Sequence, residues 1–153
     1  MANTYTQMYA QVIFSPKGRE NLILPSFEER IYKYISGVVK DRGQKLIAIN
    51  GMPDHLHLFI GFKPSLAIAD LVKDIKTSTT KFINSERFLP WRFAWQDGYG
   101  CFTYSHSQVD MVAQYVMNQK QHHRVKTFRE EYMALLQKFE VAYEDRYLFE
   151  YYD

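Results

Sequence analysis

Apolar and polar positions change period several times along the chain, and each change predicts an element. Tyr5 to Phe14 is rich in β-formers (Tyr5, Tyr9, Val12, Ile13, Phe14) and stops at the turn cluster Ser15-Pro16-Lys17-Gly18. From Pro25 the spacing becomes helical: Phe27, Ile31, Tyr34, Ile35 and Val38 recur at three and four residues, and Gly43 is placed to end the run. Lys45 to Asn50 predicts a short strand, Gly51-Met52-Pro53-Asp54 a turn, and His55 to Phe62 a second strand. Lys63-Pro64-Ser65 opens a helix that buries Leu66, Ala69, Leu71, Val72, Ile75 and Phe82. The aromatic stretch Phe93 to Tyr104, interrupted by Gln96-Asp97-Gly98, predicts a hairpin or a kinked strand pair. Ser107 is the expected N-cap of a helix from Gln108 to about Gln121, and Thr127-x-x-Glu130 is a capping box for a last helix ending near Phe139. The aromatic, acidic segment Tyr143 to Asp153 is expected to dock on the body or on a second subunit.

This order predicts an α+β fold: a ferredoxin-like (RRM-like) antiparallel sheet with helices on one face. With 153 residues and no internal repeat or long Gly/Ser linker, residues 1–153 are expected to form a single domain. The composition, 46% hydrophobic and 24% charged, excludes collagen-like, coiled-coil and wholly disordered chains. No stretch approaches the roughly 20 apolar residues of a membrane span. The start Met1-Ala2-Asn3-Thr4-Tyr5 has neither the basic nor the apolar region of a secretory signal, so a cytoplasmic protein is expected. A single cysteine, Cys101, excludes an internal disulfide framework and a multi-cysteine zinc site.

Charge changes the picture once the chain is divided. Residues 1–126 carry 16 Lys and Arg against 10 Asp and Glu, whereas residues 127–153 carry 3 against 7. A basic body with an acidic tail is compatible with a polyanionic partner. Twelve Tyr, eleven Phe and two Trp supply material both for a core and for stacking single-stranded bases.

Two segments carry chemistry. In His55-Leu56-His57-Leu58-Phe59-Ile60 the strand period of two sends His55, His57 and Phe59 to one face and Leu56, Leu58 and Ile60 to the other. Same-face residues lie about 6.5–7 Å apart, which lets two imidazoles converge on one metal ion. The same pair would also serve as half-buried, hydrogen-bonded histidines, and two ligands are too few for a closed structural zinc site. Farther on, Tyr115 and Gln119 are four apart and share a helix face. A glutamine carbonyl is a hard oxygen ligand for Mg²⁺ or Mn²⁺, with a phenol one turn away, although Tyr115 also suits simple packing against the sheet.

Together these pieces resemble a known family, the small single-tyrosine transposases of bacterial insertion sequences, within the histidine-hydrophobic-histidine nuclease class. The likeness rests on Gly51-Met52-Pro53-Asp54-His55-Leu56-His57 and Tyr115-Val116-Met117-Asn118-Gln119. Trp95-Gln96-Asp97-Gly98-Tyr99-Gly100, Tyr104-Ser105-His106-Ser107 and the opening Tyr5-Thr6-Gln7 are also similar. The resemblance implies a strand transferase acting on single-stranded DNA, with the catalytic tyrosine on a C-terminal helix. His55, His57 and Gln119 would bind Mg²⁺ or Mn²⁺, and Tyr115 would be the nucleophile that forms a 5′-phosphotyrosine. It further implies hairpins at transposon ends as substrate and a homodimer, with the histidine strand and the tyrosine helix meeting either inside one protomer or, as often in the family, across two.

Candidate contacts to the DNA backbone are Lys73, Lys76 and Lys81 on the second helix, Arg92 beyond it, and Lys120 and Arg124. Trp91, Trp95 and Tyr99 are candidates for base stacking or for the core. Three other readings stand beside the transposase. One is a non-catalytic ferredoxin-like nucleic-acid module, although no RNP1-like run is present. The others are a host-adopted relative that processes palindromes and a metal-dependent hydrolase in which water attacks.

Overall fold

The computed structural model describes residues 3–152, so the Met1-Ala2 start and Asp153 lie outside the described residues. Strands β1 (Tyr9–Phe14), β2 (Lys45–Met52), β3 (His55–Gly61) and β4 (Gly100–Tyr104) form an antiparallel sheet in the order β2-β3-β1-β4. β1 and β3 are central, and the pairings Gln11↔Phe59, Ile13↔His57 and Gln11↔Phe102 put these residues on one face. The alternate residues Val12, Phe14, Leu56, Leu58 and Ile60 form the other face, fully buried beneath α1 (Glu28–Asp41) and α2 (Ile68–Glu86). Ile31, Ile35, Val39, Leu71, Val72 and Ile75 close that core from the helix side. Each such side chain contributes about 1.5–3 kcal/mol of burial, so this layer carries most of the stability.

The ferredoxin-like core therefore has α1 and α2 on one face, as the periodicity predicts. Helices are not confined to that face, however. α3 (Val109–Met117), α4 (Gln119–His122) and α5 (Phe128–Lys138) lie against the opposite one. The reason is apolar surface there that needs cover: Val112 and Val116 of α3 pack on Ala48 and Phe59, while Tyr132 and Phe139 approach Gly100 and Phe102.

Three further elements differ from the sequence-based expectation. β1 begins at Tyr9 rather than Tyr5. Phe93 to Tyr104 yields one strand, not a hairpin. Its first half is a loop in which Trp95 fills the core against Phe14 and Phe93, bridges Pro16, and donates its indole N–H to Thr79 Oγ1 at 2.9 Å. The expected Ser107 cap is replaced by a short 3-10 turn, His106–Gln108, opened by Ser105, whose N–H donates to Gln108 Oε1 at 3.1 Å; it leads into α3, which ends at Asn118. The C-terminal segment docks on its own chain: Phe149 packs on Phe128 and Tyr132, and the Gln96 amide pairs with both the N–H and the carbonyl of Glu150.

Candidate functional site

The β2–β3 hairpin sets the first part of the site. Gly51 lies so close to the neighbouring strand that a Cβ there would stand 2.2 Å from the carbonyl oxygen of His55, so only glycine permits this register. Asp54 leads into β3, and its Oδ1 holds Nδ1 of His55 at 2.7 Å. His57, two residues on, points the same way, with its Nδ1 2.5 Å from Oε1 of Gln11 on β1. Both imidazoles are completely buried.

The second part comes from the helices over that face. Tyr115 and Gln119, on either side of the Asn118 break, meet at one carboxylate: the phenol of Tyr115 donates to Glu131 Oε2, and Gln119 Nε2 donates to the same oxygen at 3.0 Å. The other carboxylate oxygen, Oε1, lies 2.9 Å from His57 Nε2, 3.0 Å from His123 Nε2 and 3.4 Å from His55 Nε2. Gln119 Oε1 completes the cluster, 3.2 Å from His55 Nε2 and 2.9 Å from His123 Nε2. The four expected residues, His55, His57, Gln119 and Tyr115, thus come together within one chain.

Two residues at the centre, His123 and Glu131, were not singled out from sequence. The His122-His123 doublet follows Gln119 closely and was a usable signal. Glu131 was masked by its neighbour Glu130, which the capping box claims: Thr127 Oγ1 accepts from the Glu130 N–H at 3.1 Å. One residue farther along α5 the chain turns inward, and Glu131 is buried beside Tyr132 and Phe128.

The electrostatics follow from burial and these contacts. Burial opposes protonation of His55, but hydrogen bonds to Asp54 and Glu131 outweigh it and push its pKa up to about 8. At His57 burial prevails, and the pKa falls to about 4. Burial alone would raise Glu131, yet its bonds to His123, His55 and His57 hold it well below the usual carboxylate range. Tyr115 is pushed well above the ordinary phenol range by burial and then by the adjacent Glu131 charge. One donor atom from each of His55, His57, His123 and Glu131 lies within 4.8 Å of every other, a set of imidazole and carboxylate donors chemically suited to a metal cation.

The candidate DNA contacts are dispersed. Lys73, Lys76, Lys81 and Arg92 line one groove along α2, with Trp95 and Tyr99. Lys76 is half-buried there, its ammonium bonded to the carbonyl oxygens of Gln96 at 2.9 Å and Gly98 at 2.5 Å. Lys120 is held at the hairpin, 3.1 Å from Glu28 Oε2, 3.1 Å from Asn50 Oδ1 and 2.6 Å from the Gly51 carbonyl. Arg124 is exposed on the turn between α4 and α5, beside Asp54 and His123. Trp95 is buried, whereas Trp91 and Tyr99 are exposed.

Fold and cluster together define a ferredoxin-like protein with a strand-borne histidine pair and a helix-borne tyrosine around one carboxylate. The family model described as "Transposase IS200 like" matches residues 4–119, and the chain belongs to that family. The ISDra2 transposase TnpA of Deinococcus radiodurans is 25% identical over 75 residues, which are 49% of this chain and 54% of that protein. The chain thus spans about half the length of the curated relative it matches. Among solved structures, a candidate transposase from Deinococcus radiodurans R1 matches with a TM-score of 0.61 at 23% identity, over 76% of this chain and 94% of that one. A REP-associated tyrosine transposase bound to a REP hairpin matches with a TM-score of 0.59 at 17% identity, over 82% and 74%. These structural likenesses establish the fold. His123 and Glu131 lie beyond the residues that the family model matches.

Proposed function

We propose that the protein is a DNA strand transferase that cleaves and rejoins single-stranded DNA at insertion-sequence ends through a 5′-phosphotyrosine on Tyr115. One observation carries this reading: the Tyr115 phenol and the imidazoles of His55 and His57 converge on Glu131 in a single buried cluster. Family membership supports this reaction class, and the hairpin bound by the REP-associated relative is the observation that favours hairpin DNA as substrate.

Tyr115 Oη is the nucleophile. It attacks phosphorus, the 3′-oxygen leaves as a hydroxyl, and the 5′-phosphate stays on the enzyme as an ester. Attack by a second 3′-hydroxyl reverses the step and frees Tyr115, so no ATP is required. In the arrangement described, the proton stays on the phenol, because burial, and after it the Glu131 charge, raise its pKa. His55, His57 and Gln119 are the residues by which the family would hold Mg²⁺ or Mn²⁺. Held by these residues, such a cation would supply positive charge that lowers the phenol's pKa and draws electron density from the phosphate. Asp54 and Gln11 fix the two imidazole rings so that both Nε2 atoms face the site. The cationic groove along α2 offers a path for the DNA backbone, and binding should weaken steeply with salt. A homodimer, which would hold two DNA ends together, belongs to the same proposal.

The test is to incubate the protein with labelled single-stranded hairpin DNA and Mg²⁺ or Mn²⁺ and look for a denaturation-resistant protein–DNA adduct. Wild type should form it; Tyr115→Phe and chelator-treated wild type should not. Normal cleavage by Tyr115→Phe without any adduct would replace this reading with hydrolysis by water. Binding without cleavage by both proteins would replace it with a non-catalytic module.

A further inference from the structure

We propose that the slot between α3 and α5 beside Tyr115 is a nucleobase subsite. It takes one unpaired base of single-stranded DNA between Met111 and Leu135, that of the nucleotide whose 5′-phosphate Tyr115 retains. The slot's preference for an unpaired base stands on its geometry and charge, and the choice of nucleotide rests on the strand-transfer reading above.

The slot is a cavity of about 270 Å³ that opens beside the reacting phenol. Tyr115 lines it, with Met111 and Val112 of α3 on one side, Leu135 of α5 on the other and Tyr104 at the end of β4. Both walls are supported from behind: Val112 is buried in the cluster that holds Ala48 and Phe59, and Leu135 packs on the main core. The cavity is therefore pre-formed, as small-ligand sites usually are. Met111 precedes Tyr115 by four residues, so the two share a face of α3, and a group lying on Met111 lies one turn from the nucleophile. Met111 is also 62% exposed, a long, polarisable apolar side chain held in solvent at the mouth of the slot.

Size and charge choose the occupant. Pockets for drug-sized molecules begin near about 300 Å³, so this one admits a single planar ring system and not a base pair. A paired base offers only its edges in the grooves, whereas an unpaired one can be splayed out and held by both faces. Two cations stand at the rim: Lys126, before α5, and Lys138, the last residue of that helix, line the same cavity. Among the described residues neither ammonium belongs to an ion pair, whereas Lys120 is held by Glu28. The Glu131 carboxylate, which also faces the cavity, is taken up by Tyr115 and Gln119. A neutral apolar molecule would leave both lysines without a partner, and a free phosphate would leave the apolar walls bare. A nucleotide within a single strand satisfies both. Because Met111 and Tyr115 belong to one helix, a base held there keeps its place beside the phosphotyrosine while one 3′-hydroxyl strand leaves and another arrives.

The experiment uses the full chain labelled with ¹³C-methyl methionine, titrated with single-stranded hexamers of deoxyadenylate, deoxycytidylate or thymidylate and with an abasic hexamer. Ring currents should move the Met111 methyl signal, identified with Met111→Leu, upfield with a base-bearing hexamer and not with the abasic one. Met117, 57% exposed on the same helix but outside the cavity, should stay in place. Lys138→Gln should lower the salt slope of hexamer binding by about one. In the adduct assay, an abasic site at the nucleotide retained on Tyr115 should slow adduct formation at least about tenfold, and one on the leaving side should slow it less than about threefold. Met111→Ala changes an exposed residue and should shrink the first effect to about threefold or less. A Met111 signal unmoved by every hexamer, or moved equally by the abasic one, would overturn the inference, as would an equal shift of Met117 or a larger effect on the leaving side. Normal adduct formation on the abasic substrate with Met111 unmoved would overturn it and leave the transferase reading intact. A base-dependent Met111 shift with no adduct on any hairpin would uphold the base subsite and remove the transferase reading.

Discussion

The two faces of β3 differ in everything except backbone. Leu56, Leu58 and Ile60 enter an apolar layer closed by α1 and α2, where each contact is non-directional and burial itself stabilises. His55 and His57, on the alternate positions, enter a polar cluster with Gln11, Asp54, Gln119, His123 and Glu131. Burying such a cluster contributes little net stability, because the desolvation of its charges offsets their attraction. The strand can carry it because the other face does not depend on it. Stability and chemistry are thus separated across the thickness of one sheet.

Two substitutions test that separation, the larger first. Leu58→Ala removes a fully buried side chain from the apolar face and should destabilise the fold by about 2–5 kcal/mol in a denaturant melt. Under native conditions it should leave the Mn²⁺ affinity unchanged; a parallel loss of affinity would mean that the faces are coupled. Gly51→Ala should act on both. Its Cβ would meet the His55 carbonyl at 2.2 Å, so the hairpin must shift, at a cost of about 1–3 kcal/mol. Since that shift disturbs the His55 contacts to Asp54 and Glu131, Mn²⁺ affinity should fall at least about tenfold. Unaltered affinity would show that the hairpin register does not position the imidazole.

How much of this was legible in the sequence follows from range. The alternation in β3 and the spacing of Tyr115 and Gln119 are local, and the structure brings those four side chains together. The strands, the two helices beneath the sheet and the Thr127–Glu130 capping box were local signals as well. Which face of the sheet α3 would cover was not, because Val112 and Val116 mark an apolar stripe without naming its partner. Glu131 is the extreme case. Its burial depends on α5 lying across β4, with Tyr132 against Gly100 and Phe139 against Phe102, contacts that join distant parts of the chain. Beside Glu130, with the same side chain and an exposed position, nothing local distinguishes it.

The smallest expected effect separates those two glutamates. Thr127 caps α5 on its exposed side: its Oγ1 accepts from the Glu130 N–H at 3.1 Å, and Glu130 Oε1 accepts from the Thr127 N–H at 3.2 Å. Thr127→Ala removes the first bond and should cost about 1 kcal/mol in thermal or denaturant unfolding. These contacts hold Glu130 below its ordinary pKa, with the Thr127 backbone the leading cause. A lowered carboxylate pKa contributes stability above the unfolded-state value, and the contribution is lost as pH falls through the folded-state value. Thr127→Ala keeps the backbone N–H and loses only the hydroxyl that donates to Glu130 Oε1 at 3.1 Å, so the gap between wild type and variant should narrow only slightly in acid. Mn²⁺ affinity should stay within about twofold of wild type, since Phe128, Tyr132 and Leu136 still anchor α5 and keep Glu131 in place. A large loss of affinity would mean that the cap, rather than the buried face of α5, delivers Glu131 to the histidines.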